Sequence, residues 1–364
     1  MHASFTALRQ AFATARQERK ARHRDIASAL SVSEGELLAA HAGPFADGES
    51  PLRARRLRAE WQDLIGALEP LGPLMALTRN ESCVHEKVGV YRGASAQGPQ
   101  RLVGLVLGGD IDLRIFYSHW RHGFAVVERL SDGAEQRSLQ FFDAAGQAIH
   151  KIFLRPDSEL PAYEALVERF AAEDQQPGLE PGAAWQEPAE SPDEAIDVAS
   201  FRGEWASLRD THDFFGLLKR HGLSRTQALR LAEPRFAQPV PVSSAQELLS
   251  RAAQEGVSLM VFVGNAGMIQ IHSGPVHKVA MMGPWVNVLD PGFNLHLRED
   301  HIASAWIVRK PTVDGLVCSL ELFDAKGRTI AMMFGERKPG QAERCDWRKL
   351  LESLVAGAPE ALPC

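Results

Sequence analysis

The chain has 364 residues, more than one hydrophobic core usually holds, so two domains are expected. Its 45% hydrophobic and 24% charged residues describe a globular protein, and a net charge of -6 excludes a wholly basic nucleic-acid binder. The four cysteines, Cys83, Cys318, Cys345 and Cys364, form no CxxC pair, which argues against a structural zinc site or a disulfide framework.

The leading segment MHASFTALRQAFATARQERKAR lacks the apolar stretch of a secretory signal. No apolar run approaches the ~20 residues of a membrane span. Both features, with the scattered cysteines, point to a cytoplasmic protein without membrane insertion. Residues 5–40 carry helical spacing. Within them RDIASALSVSEGELLAA has the rhythm of a helix-turn-helix, preceded by Arg9, Arg16, Arg19, Lys20, Arg22 and Arg24. A DNA-binding regulator is one reading of this stretch; a helical hairpin with a solvated basic face is the other. His2, His23 and His41 are expected to be solvated.

After about residue 73 the pattern changes to short apolar or alternating runs, LVGLVL, FAVVE and SLQFF, which predict strands. FFDAAGQAIHKIF predicts two strands joined by a tight turn, with Gly146 in the left-handed position. From Ala171 to Ser200 there are eight acidic residues and four prolines but no Lys or Arg, the composition of an extended, solvated linker. The expected division is therefore 1–172, a linker at 173–200, and 201–364.

Helical spacing returns at 204–220. There Trp205, Leu208, His212 and Phe215 recur at three and four residues, which places His212 on one helical face with aromatic neighbours. A satisfied core histidine, the commoner outcome, and an axial ligand for a haem iron both fit that spacing. After about residue 258 strands return, ending in a second hairpin, LFDAKGRTIAMMF. His85, His150, His272, His277 and His296 fall in predicted strands as structural residues. His119, His122 and His301 remain undecided.

The two hairpins belong to a longer repeat. SLQFFDAAGQAIHKIFL at 138–154 answers SLELFDAKGRTIAMMFG at 319–335, and IDLRIF at 111–116 answers FNLHLR at 293–298. The segment ending at Asn80 answers the one ending at Asn265, and LSVSEGELL echoes HGLSRTQALRL. Matching blocks in one order indicate a duplication. Helices followed by hairpin-linked strands in each half give the predicted class: α+β, a tandem duplication, each half a large antiparallel sheet with flanking helices. No GxxxxGK[ST], GxGxxG, GxSxG or HExxH motif is present, so nucleotide-driven and hydrolytic chemistry have no support.

The blocks RNESCVHEKVGVY, IDLRIFYSHWRHGFAV, SLQFFDAAGQAIHK, RDTHDFFGLLKRHGLSR and RKPTVDGLVCSLELFDAKG resemble the HemS/ChuS/PhuS family over about residues 5 to 355. Its members are cytoplasmic haemin-degrading or haem-trafficking proteins of bacterial haem uptake. The resemblance implies two similar halves enclosing one haem b (iron protoporphyrin IX). Its proximal iron ligand, the His of D-x-H-x-F-F, is His212. On the opposite face the Arg of [IL]-D-L-R is Arg114, whose repeat counterpart is His296. Arg225, Lys310 and Arg337 match residues that meet the propionates. Phe334 stands where relatives often carry Tyr, so an aromatic contact survives while a hydrogen bond to a propionate is lost. The implied roles are carriage of haem from an importer to a haem oxygenase, or cleavage of the macrocycle with O2 and a reductant, in which Arg114 is the catalytic residue. No residue separates the two. His221 is expected to substitute in part for His212.

Overall fold

Turn chemistry sets the hairpins. The computed structural model describes residues 5–18, 22–43, 50–130, 132–338 and 340–355. In it strands Glu135–Phe142 and Ala148–Leu154 pair antiparallel. The Asp143 carboxylate accepts the backbone N–H groups of Ala145 and Gln147 at 2.9 and 2.8 Å, and Gly146 has φ 74°. Strands Gly315–Phe323 and Thr329–Gly335 use the same device: Asp324 accepts from Lys326 and Arg328, both at 2.9 Å, and Gly327 has φ 76°. Any other residue would be strained on that backbone.

The eighteen strands among the described residues lie in two nine-stranded sheets, and the chain divides into two compact units. Unit 1 is Met1–Arg79, Glu86–Trp185 and Asn265–Gln270; unit 2 is Asn80–His85, Gln186–Gly264 and Ile271–Cys364.

In unit 1, strands Leu52–Arg56, His122–Arg129, Glu135–Phe142, Ala148–Leu154 and Leu74–Arg79 lie side by side in that order, each antiparallel to the next. Alternation sends their side chains to two faces. Leu139, Phe141 and Ile152 share a core with Trp61 and Leu64 of helix Trp61–Gly66 and with Tyr163 and Phe170 of helix Leu160–Phe170. Phe124, Val126 and Phe142 share another with Phe12, Ile26, Leu37 and Leu38, from helices Phe5–Glu18, His23–Ala29 and Glu34–Ala40.

Unit 2 repeats the layers. Strands Ala237–Val240, Ser304–Thr312, Gly315–Phe323, Thr329–Gly335 and Leu259–Asn265 follow the same order and pairing. Leu320, Leu322 and Met333 pack with Leu248, Leu249, Trp347 and Leu350 of helices Ser244–Glu255 and Cys345–Glu352. Val308 and Phe323 pack with Phe201, Trp205, Phe214 and Leu229 of helices Val198–Ala206, Asp213–His221 and Arg225–Leu231. The duplicated α+β class read from the sequence is what forms.

The duplication extends to single hydrogen bonds. In unit 2, Asn80 Nδ2 donates to the carbonyls of Gly264 and Ile330 at 3.1 and 2.8 Å. In unit 1, Asn265 Nδ2 donates to those of Arg79 and Ile149 at 3.0 and 2.9 Å. Ser33 and Ser224 each cap a helix, accepting from the N–H of Glu36 at 3.2 Å and of Gln227 at 3.1 Å.

Several expectations are corrected. Helix Glu34–Ala40 buries Glu34, Gly35, Leu37, Leu38, Ala39 and Ala40. A DNA-recognition helix offers its side chains to a groove, whereas most of this one packs into the core. Strands Leu52–Arg56 and Ala237–Val240 precede the points where strands were expected. LRARR alternates with cations and AQPV contains Pro239, so neither has the apolar run that signals a strand. The 173–200 segment is exposed throughout 180–192, as a solvated linker should be, but it is tied down at several points. Gly178 and Gly182 donate to the carbonyls of Ala39 at 2.8 Å and Ala144 at 2.7 Å, and Asp193 accepts from Gln227 at 2.7 Å. Helix Val198–Ala206 begins inside it. Cys83 and Cys318 are buried free thiols, but Cys345 is disulfide-bonded.

His23 and His41 are buried, not solvated. His23 lies between Glu34 (2.8 Å) and Glu128 (3.3 Å); Lys151 pairs with Glu34, and Arg16 pairs with Glu128 at 2.5 Å. Burial and the Lys151 charge push the His23 pKa down, but the Glu128 and Glu34 carboxylates outweigh them and leave it raised above 6.5. A raised histidine pKa stabilises the fold fully below the unfolded value, and that contribution is lost as pH climbs through the folded value. Thermal melts from pH 6.5 upward should therefore show steeper destabilisation for the wild type than for His23→Gln. Parallel curves would contradict this.

Candidate functional site

His212 does not continue the preceding helix. Helix Val198–Ala206 ends, and His212 is the N-cap of helix Asp213–His221. The break comes from Asp210, whose Oδ1 accepts the His212 backbone N–H at 2.8 Å, an Asx turn that competes with helical bonding. Trp205 and Leu208 go into the core, whereas the His212 side chain is 87% exposed. The expected single helical face carrying His212 with aromatic neighbours is therefore corrected: the ring faces outward, and three residues on Phe215 is also 75% exposed. The Asp210 carboxylate additionally holds the ring Nδ1 at 2.6 Å, leaving Nε2 as the outward nitrogen.

The loop is tied to the hairpin tip and to Arg337. The N–H of Val313 donates to the carbonyl of Arg209 at 3.0 Å, and Arg337 Nη2 lies 3.5 Å from the Asp314 carboxylate. The Asp210 pKa is lowered, chiefly by the His212 backbone N–H, with its side chain and the Arg337 charge adding to the effect. Arg337 Nη1 is buried and has no hydrogen-bond partner among the described residues. A buried, unpartnered guanidinium nitrogen is an unfilled place for a carboxylate oxygen.

Arg225, Lys310 and Phe334 come together around a residue the sequence reading missed. Glu321, fully buried, accepts from Arg225 Nε at 2.6 Å and Nη2 at 2.8 Å, and from Lys310 Nζ at 2.7 Å. The Phe214 ring lies under both cations, 5.1 Å from Arg225 and 4.8 Å from Lys310, and the Phe334 ring is 5.5 Å from Lys310. Burial works against the Glu321 carboxylate, yet the two cations outweigh it and hold its pKa well below the usual range. Burial pushes Lys310 down to about 8, so all three groups are charged at neutral pH. Arg225 and Lys310, the expected partners of the propionates, thus each also have an internal counter-ion, and Lys310 is buried.

At the positions of the two cations, unit 1 carries acids. When the repeats are aligned through Ser33 and Ser224, Val126 and Val308, and Ser138 and Ser319, Arg225 matches Glu34 and Lys310 matches Glu128. Phe214 matches His23 and Glu321 matches Gln140. Each unit thus closes its own charged cluster with signs reversed. The signal for Glu321 was present in the sequence as the acid in SLELF where the other repeat has Gln in SLQFF.

Arg114 lies in unit 1 on strand Asp112–Phe116, where its Nη1 donates to the Asp112 carboxylate and, at 3.2 Å, to the carbonyl of Leu113. Burial raises the Asp112 pKa against the pull of Arg114. His296, the repeat counterpart, is bonded through Nδ1 to Asn287 Oδ1 at 2.6 Å. The Nε2 of His221, the expected partial substitute, is held by Glu204 at 3.0 Å. His150 is structural as expected, bonded to Thr78 and Tyr91 at 2.9 and 2.8 Å, and burial lowers its pKa to about 3.

Comparison with known proteins follows the same lines. The family model of the haemin-degrading HemS/ChuX domain matches residues 31–170 and 222–354. Holo-PhuS, a haem-binding protein from Pseudomonas aeruginosa, is 47% identical, with 99% of this chain and 100% of that one covered and a TM-score of 0.91. ChuS, a haem-degrading enzyme of Escherichia coli O157:H7, is 36% identical over 97% of this chain and 100% of its own, with a TM-score of 0.86. The hemin transport protein HemS of Yersinia enterocolitica is 40% identical over 335 residues, 91% of this chain and 92% of its own.

Proposed function

The chain belongs to the HemS family of haemin-degrading proteins, and from that premise we propose that it binds one haem b through His212 and carries it in the cytoplasm. The observation that supports this reading is the His212 ring: exposed, with Nδ1 held by Asp210 and Nε2 turned outward. A neutral imidazole nitrogen is a good axial ligand, and a porphyrin brings the other four donors itself. Exposed Phe215 offers apolar surface to a macrocycle, and Arg337 Nη1 suits a propionate. The residues fit the group.

The carrier role assigns haem an importer as source and a haem oxygenase as recipient. A single histidine on one side favours exchange over permanent retention. No helix among the described residues is long and apolar enough to cross a membrane. Bound haem supplies the iron chemistry that degradation with O2 and a reductant needs; the second reading, degradation by this chain, is favoured by the 36% identity to ChuS. In that reading Arg114, which stays charged and can donate several hydrogen bonds, is the catalytic residue.

One assay separates the two. The haem complex is mixed with a reductant and O2 in the presence of catalase, and the Soret band is followed. Persistence of the band, with transfer to an added haem oxygenase, is the expected result. Loss of the band with appearance of a linear tetrapyrrole would contradict carriage alone, and Arg114→Ala should then slow that loss while sparing haemin binding.

A further inference from the structure

Asp210 stands two residues before His212, and one oxygen of its carboxylate accepts two hydrogen bonds from it: the backbone N–H at 2.8 Å and the ring Nδ1 at 2.6 Å. The backbone bond alone would be ordinary turn chemistry. It does not account for the ring bond, which is as short as charge-assisted bonds are. A carboxylate can only accept, so Nδ1 carries the hydrogen, and in the neutral ring the lone pair then lies on Nε2. The Asx turn fixes the carboxylate on the loop, and the carboxylate fixes the ring.

We propose that Asp210 is the positioning residue of the haem ligand: it locks His212 in the Nδ1–H tautomer, aims Nε2 outward, and strengthens it as an electron donor to the iron. Outer partners of metal-bound histidines raise ligand basicity in this way, and their loss typically weakens metal binding. A more basic axial ligand favours the ferric over the ferrous state, so Asp210 also lowers the reduction potential of bound haem. The proposal rests on the reading of His212 as the iron ligand, while the tautomer itself belongs to the protein without haem.

Two variants and two readouts test it. Asp210→Ala removes both hydrogen bonds. Asp210→Asn keeps an oxygen that can accept in the turn but removes the charge. Nitrogen-15 NMR of the haem-free wild type should show His212 as the Nδ1–H tautomer, and Asp210→Ala should show a mixture. In the haemin complex, Asp210→Asn should raise the reduction potential, lower the iron–histidine stretching frequency, and weaken haemin binding about 10–100-fold. A purely structural role would leave the potential and the stretch of Asp210→Asn at wild-type values. That result, or an unchanged tautomer in Asp210→Ala, overturns the proposal while haemin binding through His212 stands. A wild-type protein indifferent to haemin overturns both.

Discussion

Glu321→Gln is expected to destabilise the protein by about 3–5 kcal/mol in urea unfolding at neutral pH, the cost of removing one partner of a buried ion pair. The carboxylate is fully buried and is the counter-charge for both Arg225 and Lys310. Glutamine can still accept one hydrogen bond, but it leaves two cations against the Phe214 ring. Gln140 is tolerated at the matching position of unit 1 because the partners there, Glu34 and Glu128, are acids closed by Lys151, His23 and Arg16. Burial already depresses Lys310 to about 8, so in the variant it should shed its proton readily. The loss should therefore shrink as pH rises towards about 8, where the wild-type Lys310 begins to lose its own proton, and level off above it. A loss below about 1 kcal/mol, the scale of an exposed pair, would show that the cluster does not hold this layer together.

His212→Ala is expected to weaken haemin binding by at least about 100-fold, the upper end of what an outer-shell partner costs, because it removes the ligand itself. It should barely change stability. The side chain is exposed and makes no capping bond to helix Asp213–His221, so about 0.5 kcal/mol bounds the change. Arg337→Ala should cost haemin affinity roughly tenfold, the lower end of a hydrogen bond to a charged group. Equal losses in the two variants, read by fluorescence quenching on haemin titration, would contradict this division between iron and carboxylate.

The legible part of the molecule was the part written in local chemistry. Asp-Ala-x-Gly turns carry their own geometry, and Asn80 and Asn265 recur because each satisfies the same pair of carbonyls in its unit. The serine caps likewise need only a few neighbouring residues. What failed required knowing where a helix stops. Trp205, Leu208, His212 and Phe215 fit one helical face by spacing, but the Asp210 side chain captures the His212 N–H and starts a new helix, so a face read as buried divides into core and surface. Buried charge was equally opaque. His23 sits among cations in the sequence, and nothing local announces that Glu34 and Glu128 close over it. Nothing near Lys310 announced the internal carboxylate, eleven residues on across a strand pair, that it also meets. Long-range ion pairs are set by sheet register, which the sequence discloses only after the strands are known to pair.

The account stands on iron meeting the Nε2 of His212, and the absorption spectrum reads that contact directly. Wild type and His212→Ala are titrated side by side with haemin. The wild type should develop a sharp Soret band that saturates at one equivalent, and the variant should show only the broad absorption of loosely held haemin. Identical spectra and affinities for the two proteins would contradict it.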